Sequence, residues 1–128
     1  MIVKEKEIIK KLSGLKNRVS YQNKKHNRTT KVKFTKNSFL KWYSDNKGKC
    51  YYCKIPGDKI EKIYWGNRKT KRPKTRIHLE VDRKKPNGNY NKENCVLVCF
   101  VCNNAKSDIF SEKEFKKIGR VIRNILEI

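Results

Sequence analysis

The stretch NCVLVCFVCNNAKSD, Asn94 to Asp108, carries three of the chain's five cysteines. Only Cys99 and Cys102 have the C-x-x-C spacing that lets one turn present two sulfurs to a single ion. CVLV (95–98) reads as a short apolar strand, and Asn103 onward as a helix. A half-site at a strand–helix junction needs a second half-site. Cys50-x-x-Cys53, with Pro56 and Gly57 just after it, reads as a tight knuckle and supplies one. Four thiolates in tetrahedral array are a structural zinc site, so one Zn2+ per chain is expected from Cys50, Cys53, Cys99 and Cys102. A redox dithiol is the competing use, but no thioredoxin-like alternation of strands and helices supports it. Cys95 stands outside this set, as a small hydrophobe filling the strand.

Working outward, Ile77 to Asp82 alternates, with Ile77, Leu79 and Val81 facing one way and His78, Glu80 and Asp82 the other. KKPNGNYN (84–91), with N-G at its centre, is a turn, so the two strands form a hairpin. Upstream, Ile8, Ile9, Leu12, Leu15 and Val19 make a helical stripe over residues 2–19. SYQNKKHNRTTKVK (20–33) reads as a basic, irregular arm. Lys36 to Asn46 reads as a second helix, N-capped by Thr35, with Phe39, Leu40, Trp42 and Tyr43 on its apolar face and Gly48 ending it. Residues 57–76 are a basic connector. Ser111 and Glu114 form a capping box that opens a last helix, with Phe115, Ile118, Val121, Ile122, Ile125 and Leu126 on one face. The fold class is α+β. One domain (1–128) is expected, comprising N-terminal helices and a basic arm (1–49), a zinc-bound core (50–110) and a C-terminal helix (111–128).

At 128 residues and 36% hydrophobic, the chain can bury only a modest core, which a metal staple would reinforce. Lys and Arg total 34 against 12 acids, a net charge of +22. That excess exceeds what solubility requires and makes nucleic acid the default partner. No long apolar run points to a membrane. The opening MIVKEKEIIKKL lacks the apolar stretch of a signal peptide, so a cytoplasmic, reducing setting is expected.

The order of motifs from Cys50 to Asp108 resembles the HNH endonucleases. It comprises a C-x-x-C, the acidic strand end E-V-D-R (80–83), a Pro/Gly turn, Asn94 before the second strand, and C-x-x-C-N-x-x-K (99–106). The resemblance implies a ββα-metal fold, in which a hairpin and a helix grip one divalent ion. F-T-K-N-S-F-L-K-W-Y (34–43), V-D-R (81–83), C-F-V-C-N (99–103), K-S-D-I-F-S (106–111) and the closing helix extend the likeness, over about Ser20 to Ile125, to the short zinc-bound HNH restriction endonucleases of the PacI type. Such enzymes carry a further zinc site near the N-terminus. This chain has no cysteine before Cys50, so its N-terminal segment differs.

The chemistry can be argued beside the name. Phosphodiester hydrolysis needs a cation on the phosphate oxygens, an activated water and a stabilised leaving oxygen. Asp82 at a strand end is a hard oxygen ligand of the kind Mg2+ or Mn2+ takes, and Asn103 offers a second oxygen beside the zinc knuckle. Alone, Asn103 would read as a helix N-cap. The commonest HNH pattern puts a histidine after the Asp, whereas this chain has Arg83, which cannot accept a proton at neutral pH but can bind phosphate. The PacI-type resemblance implies the same substitution. The general base is then His26, whose surroundings in the resemblance match a stretch that delivers a histidine to the active site, or Tyr90. Asn94 is expected to brace the hairpin loop. His78 is about 13 Å from Asp82 along the strand, too far to share its ion, and reads as a DNA-facing or surface residue. Glu80 reads as a partner for Arg or Lys, or as ordinary surface charge. Arg68, Lys69, Arg72 and Arg76 in the connector, with Lys106, are the expected DNA contacts.

The function read from these residues is metal-dependent endonucleolytic cleavage of DNA. The substrate is expected to be double-stranded and cut at a specific site, in a restriction or homing/phage role. A homodimer is expected for cutting both strands. The alternatives are a non-catalytic, zinc-stabilised nucleic-acid-binding protein and a basic zinc protein of the ribosome. Those need the zinc and the charge but not the Asp82–Asn103 pair.

Overall fold

The computed structural model describes residues 4–60, 62 and 78–126. The elements are α1 (Glu5–His26), α2 (Lys36–Asn46), a 3-10 turn at Gly57–Lys59, β1 (Glu80–Arg83), β2 (Cys95–Val98), α3 (Phe100–Lys106) and α4 (Glu112–Leu126). β1 and β2 form an antiparallel pair in which Glu80 faces Val98, Val81 faces Leu97, Asp82 faces Val96 and Arg83 faces Cys95. With α3 following directly, the hairpin and helix make the ββα unit expected from the sequence. Among the described residues, no helix is long and apolar enough to cross a membrane.

Ile8, Leu12 and Leu15 bury one stripe of α1, as their spacing predicts. The helix does not stop at Val19, however. It continues through the expected arm to His26 and ends at Asn27, whose φ of 52° is left-handed. Residues 20–26 contain no Pro or Gly, and Lys24, Lys25 and His26 favour the negative end of the helix dipole, so lack of apolar residues did not break the helix. The arm proper is residues 27–33, and it is pinned. Asn23 Nδ2 donates to Thr30 O at 2.8 Å, Lys33 N–H to Tyr90 O at 2.7 Å and Tyr90 N–H to Lys31 O at 2.9 Å.

Thr35 caps α2 in a reciprocal box with Ser38. Phe39, Trp42 and Tyr43 enter the core, where Phe34 meets Phe39 and Trp42 at ring-centroid distances of 5.2 Å. Tyr43 is buried, and burial pushes its hydroxyl well above the ordinary range. It therefore stays a donor, bonding Leu79 O at 2.7 Å and tying α2 to the approach of β1.

The knuckle after α2 closes on itself through Cys50 N–H to Ile55 O at 2.8 Å, and joins β2 through Tyr51 N–H to Leu97 O at 2.9 Å. The hairpin strand expected over 77–82 is ordered as β1 at 80–83, and Ile77 lies outside the described residues. α4 opens with the Ser111–Glu114 box, whose backbone N–H groups bond the partner side chains at 2.9 and 3.2 Å. Its apolar face splits. Phe115 is buried edge-on against Tyr52, whereas Val121 and Ile125 are exposed.

Gly119 is where α4 touches the knuckle. A Cβ there would lie 2.6 Å from Tyr52 O and 2.7 Å from Tyr52 C, both backbone atoms that cannot swing aside. Gly119→Ala should therefore lower the melting temperature by roughly 5–10 °C, despite alanine's better helix propensity. A thermal melt equal to or above that of the parent would show that α4 can slide off the knuckle without cost.

Candidate active site

The sulfurs of Cys50, Cys53, Cys99 and Cys102 all lie within 4.8 Å of one another, and all four residues are buried. Cys53 Sγ is 3.7 Å from Cys99 Sγ, and none of the cysteines forms a disulfide. Thiolates about 2.3 Å from a central ion would sit ~3.8 Å apart, so the cluster is already the size of a tetrahedral metal site. Hydrogen bonds from Cys102, Cys53 and Cys99 hold the Cys50 thiol far below its ordinary range, while contacts with Cys50, Cys53 and Cys99 push Cys102 up. The four are thus positioned to hold one metal ion. Cys95 is buried on β2 outside the cluster, and burial pushes its thiol up to about 12, so it stays protonated and inert at neutral pH.

The cysteine cluster sits at the start of α3, and the same helix carries Asn103 and Lys106. The helix N-cap is Cys99, whose sulfur accepts the Cys102 N–H at 3.5 Å. Asn103 therefore lies one turn inside the helix, which starts at Phe100 rather than at Asn103 as read from the sequence. Its Nδ2 donates to Glu80 Oε2 at 2.6 Å, which commits the amide nitrogen and leaves the carbonyl oxygen for another partner. Glu80 is two residues from Asp82 on the same face of β1, so this bond docks Asn103 against the strand that carries Asp82. It also makes Asn103 one partner of Glu80, which the sequence read as a partner for Arg or Lys or as ordinary surface charge.

Asp82 is largely buried, its side chain 13% exposed, and Lys106 Nζ lies 3.1 Å from its Oδ2. The contact is a charge pair without a well-aligned donor, so Oδ2 is buried with no linear hydrogen bond. Burial raises the Asp82 carboxyl above its ordinary range, opposed by the Lys106 charge. Lys106 is only 1% exposed and donates to Arg83 O at 2.9 Å. The expectation of a DNA-facing Lys106 is corrected, because its ammonium points into the protein and is already paired.

Arg83 is held on two sides. Its Nη1 donates to Gly88 O at 2.9 Å, and its guanidinium lies over the Tyr90 ring at 4.5 Å. Burial raises the Tyr90 hydroxyl, opposed by Arg83 and Arg18, so the phenol is a platform that keeps its proton unless a cation approaches. Asn94 ties the hairpin loop together. Its Nδ2 donates to Lys85 O at 3.2 Å and Asn89 O at 2.9 Å, and its Oδ1 accepts Lys85 N–H at 3.0 Å.

Asp82, Arg83, Tyr90 and Asn103 line one cavity of about 630 Å3, within the range of small-molecule sites. The C-terminal half of α1 also lines it, with Asn17, Arg18, Tyr21, Gln22 and Asn23, as does Arg28 from the arm. None of these was named as a site residue from the sequence, although Tyr21, Gln22, Asn23 and Arg28 fall in the basic arm read over 20–33. Their signal was a polar face in which Asn17/Tyr21 and Arg18/Gln22 recur at helical spacing, legible only once α1 is known to extend past Val19. His26 is exposed at the end of α1 and is not part of the cavity lining. His78, expected as a DNA-facing or surface residue, is 11% exposed and lies 3.3 Å from Glu7 of α1, where that helix meets the approach to β1. Arg68, Lys69, Arg72 and Arg76 lie outside the described residues.

No family model matches the sequence, and no curated protein matches it. Among solved structures, the chain is similar to the rare-cutting HNH restriction endonuclease PacI, with a TM-score of 0.67 and 31% sequence identity, over 87% of this chain and 75% of that one. A likeness of that identity and extent, on a ββα unit stapled by four cysteines, shows that the chain belongs to the HNH restriction endonuclease family.

Proposed function

We propose that the protein is a metal-dependent HNH endonuclease that hydrolyses phosphodiester bonds in double-stranded DNA at a specific site, acting as a homodimer. The observation that carries this reading is the convergence of Asp82 from β1 and Asn103 from α3 on one cavity, with Arg83 held beside them. A buried carboxylate oxygen without a linear donor and an amide oxygen left over by the Glu80 bond are hard donors that fit Mg2+ or Mn2+. Bound there, such a cation would offset charge on the phosphate and acidify a coordinated water.

The remaining roles belong to the chain. Arg83, fixed by Gly88 O and the Tyr90 ring, binds the scissile phosphate without needing to reorganise. Asn94 keeps that loop in place. Of the two bases read from the sequence, Tyr90 lines the cavity and is the better placed, whereas His26 would have to be brought in by movement of the end of α1. Arg18 and Arg28, which also line the cavity, bind neighbouring phosphates, joined by Arg68, Lys69, Arg72 and Arg76. The four cysteines hold Zn2+, which keeps α3, and with it Asn103, in register with β1. With one such centre per chain, cutting both strands calls for two copies.

A test is incubation of the zinc-loaded protein with a broad pool of double-stranded DNA and Mg2+ or Mn2+, followed by sequencing of the ends. Fragments with a common end sequence are expected, and metal analysis should find one zinc per chain. Absence of metal-dependent cutting would favour a second reading, a zinc-stabilised DNA-binding protein without cleavage. One observation leans that way, since Lys106 already compensates Asp82.

A further inference from the structure

Lys106 is the buried charge that the proposed chemistry leaves without a role. Cys99, Cys102, Asn103 and Lys106 follow one another at i, i+3, i+4 and i+7, so one face of α3 carries two zinc-site sulfurs, the Asn103 amide and the ammonium. The ammonium donates to Arg83 O at 2.9 Å and forms an ion pair with Asp82 Oδ2 at 3.1 Å, and Lys106 is 1% exposed. Bracing the Arg83 carbonyl alone would need only a neutral donor. Burying a full charge there is costly unless a fixed anion repays it, and that anion is Asp82.

We infer that Lys106 is a tethered cation that competes with the divalent ion for Asp82, and so weakens metal binding by the DNA-free protein. The inference rests on the reading of Asp82 as an ion ligand. An ammonium and a divalent cation on the same carboxylate repel each other, and the burial of the ammonium keeps solvent from screening it fully. The incoming ion must therefore displace the ammonium from Oδ2, and the bond to Arg83 O gives the lysine a neutral acceptor to keep. Lys106 is in this sense a positioning residue that sets how readily the ion site loads.

The experiment is a calorimetric titration with Mn2+ of the zinc-loaded protein without DNA, for the parent, Lys106→Met, Lys106→Arg and Asp82→Asn. Lys106→Met should bind Mn2+ at least roughly tenfold more tightly than the parent, while Lys106→Arg, which keeps the charge, stays within about threefold. Asp82-dependent binding of equal or lower affinity in Lys106→Met overturns the inference and leaves Asp82 as a ligand. Binding that Asp82→Asn does not diminish overturns both. Should Lys106→Met not fold, the parent itself gives the answer. A buried lysine ammonium gives a protected 1H–15N signal, identified by its loss in Lys106→Arg. That signal should move when Mg2+ is added. If it stays fixed while the Asp82 carboxylate 13C signal shifts, the competition is absent.

Discussion

Replacing Asp82 with Ala should lower metal-dependent DNA cleavage by about three orders of magnitude or more, the equivalent of roughly 4 kcal/mol of transition-state stabilisation. The size follows from the carboxylate's position. β1 pairs with β2 in a register that puts Asp82 opposite Val96, buried, with its Oδ2 lacking a linear donor and Asn103 joining it along the same cavity. Glu80, the other acid of β1, accepts the Asn103 amide N–H at 2.6 Å, which turns one of its oxygens toward α3. The single variant also strands the Lys106 ammonium in the interior, which by itself costs about 3–5 kcal/mol of stability. The double variant Asp82→Ala/Lys106→Met removes both charges, so it should regain most of that stability while remaining inactive. Cleavage rates are to be compared on protein shown by circular dichroism and thermal melting to be folded. A folded Asp82→Ala variant that cuts within about tenfold of the parent would remove Asp82 from the catalytic machinery.

Removing the zinc, by chelation or by Cys53→Ser, should unfold the protein rather than merely slow it. Structural zinc sites contribute apparent free energies of about 10–16 kcal/mol, as large as the whole net stability of a typical domain. Here the site joins the knuckle after α2 to the β2–α3 junction, and α4 packs on the same knuckle through Phe115 and Gly119. A chain carrying +22 must also hold this core together against its own repulsion. The metal-free protein should therefore lose its near-ultraviolet dichroism and its cooperative melt, and regain both when zinc is restored. Cys95→Ala, at a buried thiol outside the cluster, should cost only about 1–2 kcal/mol and leave the zinc content unchanged. A chelated protein that still melts cooperatively within a few degrees of the parent would show that packing, not metal, holds the knuckle to the hairpin.

The contrast between these residues tells how far the sequence reaches. Chemistry that depends on local spacing was legible. Two C-x-x-C pairs fit one ion because a single turn presents two sulfurs, Thr35 and Ser111 mark helix starts because their hydroxyls accept the free N–H groups, and CVLV forms a strand because it is short, apolar and bounded by a turn. Asp82 and Asn103 stood out because each flanks one of these devices. The end of α1 was misread, since polar residues without breakers are silent about whether a helix continues.

Sequence alone therefore determined the four clustered cysteines, the hairpin-to-helix order and the excess charge that makes an anionic partner the default, all properties of neighbouring residues or of the chain as a sum. Tertiary structure decided what distant residues do to each other. It turned Lys106 inward onto Asp82, put His78 against Glu7 of α1 and brought Arg18 to the same cavity as Arg83. A charged side chain has the same local propensities whether it meets solvent, DNA or a buried carboxylate. Which of these it meets depends on how helix and hairpin dock, and that docking follows from the summed burial of the core rather than from any single stretch of chain.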